Sequence, residues 1–179
     1  MADIQLGNVL TKEAMILDHT PFNSKEEMFQ LLSEKFFEAG VITNQQAYLT
    51  ALREREAMGP TYMGNLIGLP HGRCDEVVKS GIAFCRCSSP FLYQSCGEEG
   101  DVKYVFMLAI PGNQSADQYM RVLATLAGLL AKEEFVDQLD SVPSWGENFL
   151  ILSLYLSKRS ALLMPTSLAN TIKSAASIS

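Results

Sequence analysis

At 179 residues, 47% of them hydrophobic and 19% charged, the chain has the composition of one globular domain and not of a disordered or fibrous protein. A net charge of −6 with no basic cluster excludes a nucleic-acid partner, because a phosphate backbone is bound by grouped Lys and Arg that displace its counterions. The N-terminal Met-Ala-Asp-Ile-Gln-Leu lacks the basic and apolar regions of a secretory signal, and the longest apolar run, around Phe149 to Leu156, falls short of the ~20 residues of a spanning helix. A cytoplasmic location is expected.

In chain order, residues 14–17 read as a short strand, followed by a loop that carries His19. Ser24-Lys25-Glu26-Glu27 is a capping box that opens a helix with Met28, Leu31, Leu32, Phe36 and Ala39 on one side, stopped by Gly40. Thr43-Asn44-Gln45-Gln46 opens a second helix with Ala47, Tyr48, Ala51 and Leu52 inward, ended by Gly59-Pro60. Arg53 and Arg55 fall in its last turns, where pairing with the negative end of the helix dipole explains either of them.

From Asn65 to Leu69 the pattern is short and apolar, and Pro70 forces Leu69 into an extended conformation, so a strand delivers the chain to His71. Further strands are expected at 80–87 and 102–109. Ser115 caps a helix with Tyr119, Val122, Leu123, Leu126, Leu129 and Leu130 on one stripe; a short helix follows at 133–139, and another opens at Ser144, with Glu147 completing a third capping box. Met58, Met63 and Trp145 read as packing, with Met63 also a candidate for an apolar docking rim. The interleaving predicts an α/β fold: a single layered domain, with a central mixed β-sheet and helices on both faces, over residues 1–157. The Ser- and Ala-rich stretch 158–179 reads as a loosely ordered tail.

Cys74, Cys85, Cys87 and Cys96 form no C-x-x-C pair and only two histidines are present, so the cysteines read as buried or idle thiols and no metal site is expected. Cys85 and Cys87 would share one face of a strand. No Gly-x-x-x-x-Gly-Lys-Ser/Thr loop is present for ATP, and no cofactor is implied. A hydrolase built on His71 with Cys74 or Cys96 lacks both a nucleophile elbow and an orienting partner.

His71 stands in Leu69-Pro70-His71-Gly72, where Pro70 fixes the entry and Gly72 lets another backbone or a phosphate approach closely. An imidazole nitrogen is nucleophilic at neutral pH, and the phosphoramidate it forms stays reactive enough to hand the group on. The equatorial oxygens of such a group are best neutralised by an arginine fork, supplied by Arg53 or Arg55 if the loop folds back.

The run from Arg53-Glu54-Arg55-Glu56 through Thr61, Gly64 and Gly68 to Pro70-His71-Gly72 resembles the Arg-Glu…Thr…Gly…Pro-His-Gly signature of enzyme IIA domains of the sugar phosphotransferase system, fructose/mannitol type, and the likeness extends over roughly residues 9–156. The resemblance implies that His71 accepts a phosphoryl group from an HPr-like phosphocarrier protein and donates it to a cysteine of a IIB component, which acts ahead of a membrane IIC component. It also implies that Arg55 steadies the phosphate. Many such domains carry a second histidine at the start of the helix after the third strand; the best match here is Tyr119, a phenol with no switchable positive charge near neutral pH. Thr61 stands equally as a ring or phosphate partner and as a cap for the turn after Pro60. Two readings remain open at this level: a transport relay, or a regulatory module of the same fold whose phosphorylation state controls a protein partner. The sugar is not legible, because such a domain need not touch it.

Overall fold

The computed structural model describes residues 6–144 and 148–157. After a 3-10 turn at Leu6–Asn8 come β1 (Leu10–His19), α1 (Lys25–Glu38), α2 (Gln45–Met58), β2 (Tyr62–Gly64), β3 (Ile67–Gly68), β4 (His71–Cys74), β5 (Gly81–Ser95), β6 (Glu98–Pro111), α3 (Ala116–Leu130), α4 (Glu133–Ser141) and α5 (Asn148–Ser157). The strands form a six-stranded sheet in the order β1-β5-β6-β3-β2, with β4 also paired to β6. Pairing is parallel for β1/β5, β3/β6 and β4/β6 and antiparallel for β5/β6 and β2/β3, which makes the sheet mixed, as expected.

Alternation along β5 and β6 sends side chains to two separate cores. Ala83, Cys85, Cys87, Phe91, Tyr93, Val105 and Met107 meet Met28, Leu32 and Phe36 of α1 and Tyr48, Leu49 and Leu52 of α2. On the other face Ile82, Phe84, Phe106, Leu108 and Ile110 meet Leu126, Leu129 and Leu130 of α3, Phe135 and Leu139 of α4, and Leu152 and Leu156 of α5. Helices therefore cover both faces. Arg86, between the two buried cysteines, points to the second core and is satisfied there: Nη1 donates to the carbonyls of Leu139 and Val142, capping the end of α4, and Nη2 to Asp18 at 2.8 Å. A buried guanidinium is stable only with this many acceptors.

Several local expectations shift. The cap of α2 is Asn44, not Thr43: Asn44 Oδ1 accepts from Ala47 N at 3.0 Å, while Thr43 bonds the Glu76 carbonyl. Ser24 caps α1 by accepting from Glu27 N, but Glu27 reaches back to Asn23 N, one residue beyond the box. His19 is the half-buried last residue of β1, stacked on Phe22, and not a loop residue. β5 and β6 run well past 87 and start before 102, joined by a tight turn in which Cys96 and Gly97 have φ of 48° and 84°. A register shift between Arg86 and Phe91 lets exposed Ser88, Ser89 and Pro90 bulge out and returns Phe91 and Tyr93 to the core. Ser144 lies outside a helix; Trp145, Glu147 and the tail 158–179 fall outside the described residues.

β3 and β4 follow one course along β6, Ile67 opposite Tyr104 and His71 opposite Leu108, interrupted at Leu69-Pro70. The interruption has a chemical cause. Pro70 has no N–H to give, Leu69 N donates to Thr61 O at 2.9 Å instead of to β6, and pairing resumes where Leu108 N donates to Pro70 O at 3.0 Å. His71 is thus the first residue of a strand and not a loop residue, and the sheet fixes its backbone.

Candidate functional site

Three elements set the geometry around His71. β4 presents its side chain half-buried in a cleft of about 640 Å³. The end of α2 supplies Ala51, Glu54, Arg55 and Met58 to one wall, and α3 supplies Tyr119, Met120 and Leu123 to the other.

Both ring nitrogens of His71 are engaged. Nδ1 lies 3.1 Å from the carbonyl oxygen of Leu69, and Nε2 lies 2.9 Å from Nε of Arg55. A carbonyl can only accept and a guanidinium N–H can only donate, so Nδ1 carries the proton and Nε2 presents its lone pair. Burial is the leading cause that holds His71 below the usual imidazole pKa of 6.5; the Leu69 carbonyl pulls the other way, and the Arg55 charge lowers it further.

Arg55 is held from both ends. Nη1 donates to the Gly59 carbonyl at 3.0 Å, closing the last turn of α2, while Nε faces the ring. The capping role expected from position alone is present, and so is the contact with His71. Arg53, two residues earlier and so on another side of the helix, pairs with Glu26 of α1 and does not reach the cleft lining.

Thr61 lines the same cleft, but its hydroxyl is directed away from the ring. It bonds the Glu56 carboxylate and, at 2.7 Å, the Tyr93 hydroxyl, while its N–H donates to Ser95 Oγ. Glu56 further accepts from Ser95 Oγ at 3.0 Å and Lys25 Nζ at 2.8 Å. This buried network ties the end of α2 to α1 and to the β5/β6 hairpin, so it braces Arg55 from behind. Tyr119 stands in the first turns of α3, on the far wall from Arg55, with its ring 5.2 Å from Cζ of Arg73.

Gly72 faces away from the cleft. A Cβ there would lie 2.9 Å from Cε2 of Tyr48 and 3.3 Å from the backbone N of Leu52, so the close approach is by α2 and not by a phosphate. Tyr48 is fully buried and its hydroxyl donates to the Leu108 carbonyl at 2.7 Å, so the ring is held in place. Gly72→Ala is expected to destabilise the fold by ~1–3 kcal/mol and to push β4 off α2, lengthening the His71 to Arg55 contact; urea unfolding measures the first effect and the nitrogen chemical shifts of the His71 ring the second. Wild-type stability in this variant would contradict the packing argument.

Three features escaped the sequence reading. Arg73 shares the cleft, as residues two apart on a strand share a face, and that rule was the available signal. Met58 and Met120 are 80% and 54% exposed, so they rim the cleft mouth instead of packing inside, beside Met63, whose candidacy for a rim the sequence had offered. The Glu56 network joins segments too distant in sequence to be paired by pattern. Cys74, three residues on from His71, turns to the opposite side and packs against the α1/α2 core, where burial pushes its thiol pKa up; Cys96 is exposed at the hairpin tip. Neither forms a dyad with His71.

Comparison with known proteins gives the family. Residues 8–153 match the family model described as phosphoenolpyruvate-dependent sugar phosphotransferase system, EIIA 2. The mannitol-specific phosphotransferase enzyme IIA component of Bacillus subtilis is 33% identical over 139 residues, covering 76% of this chain and 90% of that protein. The 2-O-alpha-mannosyl-D-glycerate-specific EIIABC component of Escherichia coli is 28% identical over 138 residues; 77% of this chain matches, and it spans about a fifth of that protein, 21%. In structure, IIA mannitol from Escherichia coli superposes with a TM-score of 0.61 at 25% identity, covering 80% of this chain and 96% of that one.

Proposed function

The chain belongs to the EIIA type-2 family of the phosphoenolpyruvate-dependent sugar phosphotransferase system, and on that premise we propose that Nε2 of His71 accepts a phosphoryl group from an HPr-like phosphocarrier protein and passes it to a cysteine of a IIB component. The observation that carries this reading is the pairing of an unprotonated Nε2 with the Nε–H of Arg55 at 2.9 Å, at the floor of an open cleft.

In the accepting step the Nε2 lone pair forms the new N–P bond while the donor's bond to phosphorus breaks and its electron pair leaves with the donor atom. The Nδ1 proton stays on the ring, against the Leu69 carbonyl. The phosphorylated ring is therefore cationic, and in the second step it leaves as neutral imidazole when a thiolate attacks the phosphorus. Arg55, which loses its ring acceptor once Nε2 is bonded to phosphorus, turns the same N–H edge to the phosphoryl oxygens. Little further chemistry is asked of the protein, because phosphoryl transfer depends on alignment and charge neutralisation. The flexible methionines at the cleft mouth suit a surface that must fit two partners in turn.

The test is transfer in sequence: label the protein with a phosphorylated HPr-type donor, map the acid-labile phosphate to His71, then offer IIB proteins and follow the label to a cysteine. A module that only signals takes the label but discharges to no IIB. The pH profile adds a check. Because the His71 pKa is depressed, Nε2 stays unprotonated as the pH falls through 6.5, so the accepting rate is expected to hold its plateau there and to decline only at lower pH. A midpoint above 6.5 in initial rates contradicts the burial argument.

A further inference from the structure

A phosphoryl group on Nε2 presents three non-bridging oxygens spread around the N–P axis, and Arg55 cannot serve them all. Its Nη1 is committed to the Gly59 carbonyl, and the remaining Nε and Nη2 edge is a planar fork that fits two oxygens. Of the other described polar side chains lining the cleft, Glu54 is anionic and the Thr61 hydroxyl is bound to Glu56 and Tyr93, which leaves Arg73 and Tyr119.

Arg73 follows His71 by two residues on β4, so the side chains leave the same face with Cα atoms roughly 6.6 Å apart, within reach of an extended arginine. Its Nη2 donates to the carbonyls of Gly112 at 2.9 Å and Gln114 at 2.7 Å, which anchors one corner of the guanidinium at the loop before α3. Among the described residues neither Nε nor Nη1 of Arg73 has a partner. The flat group lies over the Tyr119 ring, 5.2 Å from its centroid, an arrangement that holds the cation in place without using its donors.

We propose that Arg73, steadied on the face of Tyr119, is the second phosphate-binding guanidinium of this site. The inference rests on the reading that His71 carries the phosphoryl group. Tyr119 then acts through its ring, as the platform for a permanent positive charge, and not through its hydroxyl. Arg73 carries the catalytic contact and Tyr119 is a positioning residue.

The test charges the full chain with a phosphorylated HPr-type donor, maps the label, and follows its equilibrium level and its hydrolysis after donor removal. Arg73→Gln is expected to lower the charging constant roughly tenfold, with His71 still the labelled residue, and Arg73→Lys to recover part of the loss. Tyr119→Phe keeps the ring and is expected to stay within about twofold of the parent; Tyr119→Ala is expected to follow Arg73→Gln. Arg73 is exposed, so its variants are expected to fold; Tyr119 packs partly against the second core, so melting temperature separates any loss of stability in Tyr119→Ala from its effect on charging. Unchanged charging and hydrolysis in Arg73→Gln overturns the proposal and leaves the carrier reading standing, whether or not the melting temperature moves. Impairment in Tyr119→Phe with none in Arg73→Gln assigns the third oxygen to the phenol and overturns it as well. No label at His71 in the parent protein overturns the carrier reading itself.

Discussion

Replacing His71 with alanine is expected to abolish phosphoryl uptake from a phosphorylated HPr-type donor, while His19→Ala keeps it. The two histidines are the only imidazoles in the chain, and their surroundings differ in kind. His71 offers an unprotonated Nε2 beside a guanidinium in an open cleft. His19 lies at the end of β1, stacked on Phe22 and bonded through Nδ1 to the adjacent Thr20 carbonyl, beside Glu27 and Glu34, whose charges repel a phosphoryl donor. The His71 side chain is half-buried at the sheet edge and its removal leaves both cores intact, so the variant is expected to fold. Mass mapping of the acid-labile phosphate decides the matter: label retained in His71→Ala and lost in His19→Ala would falsify the assignment.

Arg55→Gln carries the next largest expected effect, a loss of about a hundredfold in phosphoryl transfer rate, or about 2.7 kcal/mol of transition-state stabilisation. The glutamine removes the N–H that pairs with Nε2 and, on the proposed function, the charge that would face the phosphoryl oxygens. Arg55→Lys retains the charge without the fork and is expected to fall between the two. Because Nη1 also closes the last turn of α2 on Gly59, some stability is lost in both variants, and stopped-flow labelling below the melting transition separates the effects. A rate within twofold of the parent in fully folded Arg55→Gln removes Arg55 from the transfer step. The same variant tests the charge contribution to the ring, since loss of a neighbouring cation lets the His71 pKa rise toward its ordinary value.

How much of this was legible beforehand depends on the range of the interaction. The capping residues and apolar stripes of α1, α2 and α3 are local signals, and those helices appear where the spacing puts them. Expectations failed where a partner far along the chain decides. Asn44 takes the cap because Thr43 is drawn to Glu76, and Pro90 is tolerated within β5 because a bulge removes it from the ladder. Helix position by itself did not separate Arg53 from Arg55, and the family resemblance chose Arg55; the packing of α2 against α1 and β4 supplies the physical reason, giving Arg53 to Glu26 and Arg55 to His71.

By itself the sequence determined the class of the fold and the order of its main elements, because propensity, capping and periodicity act over a few residues; His71 stood out through the resemblance of its Pro-His-Gly run to a family signature and not through those local rules. Tertiary structure alone decided which nitrogen of His71 is free, where Thr61 points, that Met58 and Met120 stand at the cleft mouth, and that Arg73 shares the site with Tyr119. Each of these depends on bringing together segments from α2, β4 and α3, and the free energy that does so comes from burying two apolar cores on opposite faces of one sheet.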